Sequence, residues 1–264
     1  MIGTAFPLDI NLIERIEVIR GHGSSLYGNS AFFAVINVIT RSGRNLKGFE
    51  TSGEAGSFEA YKTRFSNGNR FQNGMESLFS GSYYNSEGHD RLFFREFDDP
   101  KTNNGIAEDL DYDRFNHFFW DFSFHDFTLQ GNYFSRKKGI PTSPYEIAFN
   151  EDSFTIDDTA WADLKYEHMY GDQLDVLARI NYNYYHQQGD YPYKWEPPYP
   201  SIVVNRDKVT GQWVRGEVQL TKTLMDVHKG TVGLESQYNF QQDQRNYDVG
   251  IAGGVNLDDH HTSQ

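Results

Sequence analysis

Two groupings of side chains in this sequence have the types and spacing to do chemistry. The first is Asp190-Tyr191-Pro192-Tyr193-Lys194-Trp195-Glu196-Pro197-Pro198-Tyr199-Pro200. Rigid aromatics such as Tyr191, Tyr193 and Trp195 offer contact area at low entropic cost, so the segment reads as a loop that helps capture a ligand. The plainer reading is a proline-stiffened surface loop, or a Trp/Tyr cluster at a membrane interface. Both readings stand on the sequence alone. The second grouping, Asp258-Asp259-His260-His261, has the donor types of a metal site. Adjacent residues on an extended chain point to opposite faces and converge poorly on one ion, so no metal site is expected there. His117, His125, Asp111 and Asp113 read as strand and turn residues, and the acidic stretch from Glu96 to Asp113 as a solvated loop. There is no nucleophile elbow, phosphate-cradling glycine loop or zinc motif. No catalytic residue, cofactor or enzymatic activity is expected.

Composition narrows what the chain can be. Its 264 residues carry 37 acidic against 24 basic side chains, a net charge of −13 that repels phosphate backbones and makes nucleic acid an unsuitable partner. There are no cysteines, which excludes disulfide scaffolds and cysteine-ligated metals. The mean hydropathy is −0.68, and no stretch approaches the ~20 apolar residues of a membrane-spanning helix. A β-barrel stays open, because barrel strands need only alternate apolar positions. Aromatics reach 16%, which fits the aromatic girdles of such a barrel and equally an aromatic-rich β protein that binds carbohydrate. Met1 to Ile10 lacks the basic start and apolar core of a signal peptide, which reads as truncation.

The elements that must position these residues are strands. Residues 12–41 form a strand–turn–strand unit expected to hold its own core, with Ala31 to Thr40 buried on both sides. Ser24-Ser25 falls in its turn. From Lys47 onward, two-residue alternation recurs in segments of the length of a tilted membrane strand. In 174–184, Leu174, Val176, Ala178, Ile180, Tyr182 and Tyr184 share one face; Asp175, Arg179, Asn181 and Asn183 share the other. Similar patterns occupy 160–167, 214–220 and 232–240, with a weaker one at 116–124 and further strands near 47–56, 59–70, 74–87 and 126–137. Links at Gly88–Glu108, Lys138–Asp158 and Gln187–Gly211 are long, and those at Gln72-Asn73, His125-Asp126, Gly171-Asp172 and Asp226–Lys229 are short. Alternation of long and short links is what a membrane barrel has, with long loops outside and short turns inside.

Residues 13–41, IERIEVIRGHGSSLYGNSAFFAVINVITR, closely resemble the C-terminal signature of the plug domain in TonB-dependent outer-membrane receptors. The resemblance implies an all-β chain: the end of a plug (1–45), then the first part of an antiparallel transmembrane β-barrel (46–264), about nine strands as an open curved sheet. It further implies a whole receptor of about 22 strands whose lumen the plug fills. In that family Arg20 matches an arginine that pairs with glutamates of the inner barrel wall. Gly21, Tyr27, Gly28 and Asn37 match plug-signature positions of structural or gating role, and His22 departs from the usual proline. The implied location is the outer membrane of a Gram-negative bacterium. The implied partners are outer-membrane lipid, the TonB energy-transducing complex (reached through an N-terminal segment absent from this sequence) and a metal chelate or similar small ligand. An iron–siderophore complex is the default ligand, with haem, cobalamin or an oligosaccharide as alternatives. A passive porin or adhesin barrel would explain the strands but not residues 13–41, and a secreted carbohydrate-binding or carbohydrate-cleaving β protein explains less. Absence of the upstream plug and of a terminal aromatic strand reads as truncation at both ends, leaving a sheet with two exposed edges.

Overall fold

The computed structural model describes residues 8–21, 33–171, 173–224 and 228–263. Strands β1 (Ile13–Arg20) and β2 (Ala34–Thr40) pair antiparallel as a separate two-stranded sheet. A single helical turn, α1 (Gly43–Leu46), leads to β3 (Gly48–Ala55), β4 (Tyr61–Arg70) and β5 (Glu76–Ser86). A small hairpin, β6 (Arg91–Phe93) and β7 (Ile106–Glu108), stands in the link to β8 (Asp113–Phe124). There follow β9 (Phe127–Gly139), β10 (Phe154–Tyr170), β11 (Leu174–Lys194), β12 (Ile202–Leu224), β13 (His228–Asp248) and β14 (Val255–Ser263). Strands β3, β4, β5 and β8 to β14 form one antiparallel sheet in chain order, with β3 and β14 at its edges. This is the all-β barrel wall expected, as an open sheet. Among the described residues no helix is long and apolar enough to cross a membrane, a fact silent about strands.

The sheet has ten strands rather than about nine. The additional one is β14, whose Asp- and His-rich sequence lacks the apolar alternation that marks the others. Later strands are also longer than the alternation suggests: β11, β12 and β13 run to 21, 23 and 21 residues. A bilayer needs only ~9–11, so these strands project beyond it, and stretches such as Asn205 to Lys208 and Gln241 to Asn246 are polar on both faces. Hydrophobic periodicity therefore fades where pairing does not. The long link foreseen at Gln187–Gly211 shrinks to residues 195–201, with Tyr191 paired to Asn205 and Lys194 to Ile202.

Two other expectations change. The acidic link after β5 is not simply solvated: Ala107, Leu110 and Phe149 form a buried cluster joined by Leu92, Phe94 and Phe97. Phe97 stacks on Phe149 at 4.4 Å, so the links 87–112 and 140–153 share a core. Conversely, β1 and β2 do not enclose a core of their own among the described residues, since Ile16, Val18 and Ile36 are more than half exposed. Two strands make only a ribbon and need a further layer to bury a face.

Candidate functional site

The register of the large sheet sorts side chains into two faces. Following paired residues across it, Phe79, Trp120, Gly131 and Ala162 share one face, as do Phe118, Tyr133, Ala160 and Tyr184 in the next row. Leu164, Ile180, Val218, Leu220, Val232 and Leu234 continue this band, and each is exposed in at least a third of its surface. Water penalises such a surface and hydrocarbon does not, so the band is shaped for lipid. The opposite face carries Glu50, Arg64, Ser66, Glu76, Ser80, His117, Asn132, Asp163 and Arg179. Successive strand residues alternate faces, so the same strands deliver both surfaces.

The N-terminal segment lies on the polar face. Leu12, Leu78 and Phe119 are buried together, with Leu8, Leu46 and Trp161 packed around them. Ion pairs surround this apolar contact. Lys62 donates to Asp9 Oδ1 at 2.8 Å, and the backbone N–H of Asn11 donates to the same oxygen at 3.0 Å. Burial alone would push the Asp9 carboxyl up; the Lys62 and Asn11 hydrogen bonds outweigh it and hold the group below the ordinary aspartate range. Arg41 grips Glu50 through both terminal nitrogens at 3.2 and 3.1 Å, while Arg64 approaches the same carboxylate from within the wall. Arg44 binds Glu76 at 2.9 and 2.7 Å, and Asn11 donates to Glu54 at 3.2 Å. Gly43 lets α1 come this close: a Cβ there would press on the carbonyl oxygens of Ser77 and Asn69.

At the far end of the strands the long links are fastened to the wall and to each other. Glu108 N–H donates to Asn150 at 2.9 Å, and Tyr112 hydroxyl to Asp152 at 2.8 Å. Lys138 binds both the carbonyl and the carboxylate of Asp111 at 2.7 Å, and Arg136 binds Asp113 at 2.8 and 2.6 Å. Burial would raise the Asp111 carboxyl, but Lys138 and the His89 N–H hold it low. The Tyr112 phenol is pushed well above its usual range by burial and by Asp152.

Tyr191 and Tyr193 lie in β11, two residues apart and therefore on one face, the polar one; only Trp195 belongs to the turn. This corrects the reading of 190–200 as a loop. Pro192 is tolerated because its open side faces away from β12, where its carbonyl accepts from Ala148 N–H at 2.7 Å. Trp195 meets Tyr199 edge-on at 4.8 Å. Tyr191 bends back over Gly189, so the three aromatics are strung along the hairpin rather than closed into one pocket.

Of the signature residues, Arg20 ends β1, is exposed, and forms no ion pair among the described residues. Gly21 has φ +106, a conformation that favours glycine, and its N–H donates to the Phe33 carbonyl at 3.0 Å. Asn37 donates to Glu17 across the β1–β2 pair at 3.1 Å. Tyr27, Gly28, His22 and Ser24-Ser25 lie outside the described residues. The residues that sequence reading missed are Asp9, Arg41, Arg44, Glu50, Lys62 and Glu76. Glu50, Lys62 and Glu76 alternate with small residues on short strands, which does not say what they face, and Asp9, Arg41 and Arg44 lie outside strands. His260 pairs with Asp243 at 2.8 Å and Asp258 at 3.1 Å, and His261 with Asp259 at 2.9 Å, on alternate faces as an extended chain requires.

No family model matches the chain. A curated relative, the vitamin B12 transporter BtuB of Vibrio vulnificus, is 38% identical over 95 residues, 36% of this chain and 15% of the transporter. Among solved structures, the pyoverdine outer membrane receptor FpvA from Pseudomonas aeruginosa PAO1, bound to pyoverdine, superposes with a TM-score of 0.64 at 13% identity over 94% of this chain. A ferripyoverdine receptor of the outer membrane of Pseudomonas aeruginosa, bound to ferripyoverdine, gives 0.61 at 12% identity over 96%. The chain spans 38% of each of these receptors, whose likeness is one of fold. None of the three is an enzyme by its description. The chain thus resembles TonB-dependent receptors in the signature of residues 13–41, is similar over 95 residues to a vitamin B12 transporter, and shares the fold of outer-membrane receptors.

Proposed function

We propose that residues 1–45 are the end of a plug and residues 46–264 the first part of the barrel of a receptor that imports a scarce ligand by TonB-coupled active transport. The observation that carries this reading is the seating of the N-terminal segment on the polar face, through Leu12, Asp9, Arg41 and Arg44, while the opposite face stays apolar and open. A wall that only enclosed a passive pore would need no such segment against its polar side. Outer-membrane lipid covers the apolar band, and the TonB energy-transducing complex acts on the plug through a segment upstream of it. Arg20, Gly21, Tyr27, Gly28 and Asn37 serve the plug's structure and gating. Tyr191, Tyr193 and Trp195 contribute to ligand capture at the outer ends of β11 and β12. An iron–siderophore complex is the default ligand. The vitamin B12 of one relative's name and the pyoverdine of the others keep cobalamin and metal chelates together in the set to be tested.

The test uses the full-length receptor in a Gram-negative host with and without TonB. Labelled ferric chelates, haem, cyanocobalamin and oligosaccharides are offered in turn, and accumulation is measured. Uptake of one of them that disappears without TonB is expected. Leakage of unrelated small solutes that is indifferent to TonB would replace this reading with that of a passive channel.

A further inference from the structure

The outward, lipid-facing side of the sheet is apolar only through its middle. Toward the long links, one cross-strand row on that side is set with cations. Arg114 pairs with Lys137, Lys137 with Ile156, Ile156 with Gln188, Gln188 with Lys208, and Lys208 with Arg245. Steps of four residues from Phe118, Tyr133, Ala160 and Tyr184 lead to this row, so it shares their face. Like charges thus stand directly opposite one another twice, Arg114 against Lys137 and Lys208 against Arg245. Such opposition destabilises a sheet, and an anion that bridges each pair removes the cost. Lys137 and Lys208, the nearest members of the two pairs, are three strand spacings apart, about 14 Å.

The chain's own carboxylates supply little of that anion. Arg114 meets Glu87 at 3.1 Å, and Arg245 reaches Asp258 only at 3.9 Å, while His260 lies closer to that carboxylate at 3.1 Å. Among the described residues, neither Lys137 nor Lys208 has a carboxylate within ion-pair distance. On the adjacent rows of this face Asp190 is taken by Arg206 and Asp243 by His260, which leaves Asp158 as the nearby anion. Rings hold the cations instead. Lys137 Nζ sits 3.7 Å from the Phe154 ring centre and 5.2 Å from that of Tyr112, and Arg245 lies over Tyr247 at 4.9 Å. A ring face orients a cation without neutralising it. The height of the row identifies what meets it. Four residues beyond the last tyrosines are about 13 Å of strand, and a tilt of about 45° reduces this to about 9 Å along the membrane normal. Long lysine and arginine stems reach back toward the apolar surface, which brings their charges to the level of lipid headgroups.

We propose that Arg114, Lys137, Lys208 and Arg245 form a docking row for the phosphate groups of outer-leaflet lipid headgroups. The proposal rests on the receptor reading given above, which places the long links outside, and it names the lipid chemistry that this side of the wall selects. It is tested on the full-length receptor purified in detergent and stripped of lipid. Three probes compete with a fluorescent lipid A: bisphosphorylated lipid A, the same lipid with its phosphates removed, and inorganic pyrophosphate. The bisphosphorylated lipid is expected to bind tighter than the dephosphorylated one by about tenfold or more. Lys137→Gln combined with Lys208→Gln should erase most of that difference. Lys137→Arg combined with Lys208→Arg keeps both charges and should preserve it, as should Lys222→Gln at the opposite end of the same face of β12. Equal affinity for the two lipids overturns the proposal and leaves the receptor reading standing. So does an unchanged preference in the glutamine pair, or a loss of equal size in the arginine pair or in Lys222→Gln. Pyrophosphate that competes at the lipid's own concentration overturns the lipid as occupant, in favour of a soluble anion. Release of the receptor from cells without detergent overturns the proposal and the receptor reading together.

Discussion

The two ends of the large sheet follow one pattern and differ in what covers them. On β3 to β5 the polar face lies under the N-terminal segment, and Asp9 and Lys62 are 0% and 12% exposed in their side chains. On β12 and β13 the same face is open, and Arg215 and Glu235 are 40% and 43% exposed. Both are oppositely charged pairs in contact, yet they do different work. A pair sealed from water cannot lose one member without stranding the other, whereas an exposed pair is screened and contributes little. Ion pairing on a barrel wall is thus a matter of cover rather than of count. The covered pairs can fasten one element to another, and the open ones keep a surface polar.

Removal of the buried anion should have the largest effect. Asp9→Ala leaves Lys62 uncompensated and should cost about 3–5 kcal/mol, seen as early protease access to residues 8–20 in the full-length receptor. Protease access that matches the unmodified receptor would mean that the pair is not a fastening. The same pair carries an acid dependence. The Asp9 carboxyl is held below its usual 3.8, so its contribution is complete above that pH and is lost as pH falls further, through the depressed value. Thermal unfolding followed from neutral pH into this acid range should show the loss, and Asp9→Asn should remove this part of it.

Leu12→Ala comes next, with an expected loss of about 2–5 kcal/mol because the side chain is wholly enclosed by Leu78 and Phe119. It separates the apolar contribution of the covered end from the ionic one; calorimetry on both variants and their combination would measure the coupling. Gly43→Ala follows. The added methyl meets backbone carbonyls of Ser77 and Asn69, which cannot rotate away, so overpacking of about 1–3 kcal/mol is expected in the same assay. The smallest effect belongs to the open end. Arg215→Ala should change stability by no more than about 1 kcal/mol, and less as salt is raised. A larger loss would mean that something in the full receptor covers this end too.

Much of this was legible from residues alone. The alternation in 174–184 placed Leu174 to Tyr184 on one face and Arg179, Asn181 and Asn183 on the other, which the register of β10, β11 and β12 reproduces. What failed to read were places where periodicity and pairing part company. Tyr191 and Tyr193 lie in a strand although prolines and charges surround them, because β12 continues to supply backbone partners beyond the apolar band. The sequence likewise marks β14 only as a polar tail, yet pairing with β13 makes it a strand. The link 87–112 has a core because Phe149, more than forty residues from Phe97 and Phe94, folds over it. No local pattern announces such a contact.

The all-β class of the molecule is legible from residue order alone, because alternation with period two is dictated by strand geometry and survives in any register. The ordered residues from Ile13 to Arg41 carry the resemblance to a receptor plug. Tertiary structure alone decided which charges are sealed and which are open. Glu76, 6% exposed in its side chain, differs in nothing local from Glu235, 43% exposed. The former meets Arg44 because the N-terminal segment returns across the first strands of the sheet, and no such segment covers the latter among the described residues. Burial depends on what lies across the face, and that is set by chain segments far apart in sequence.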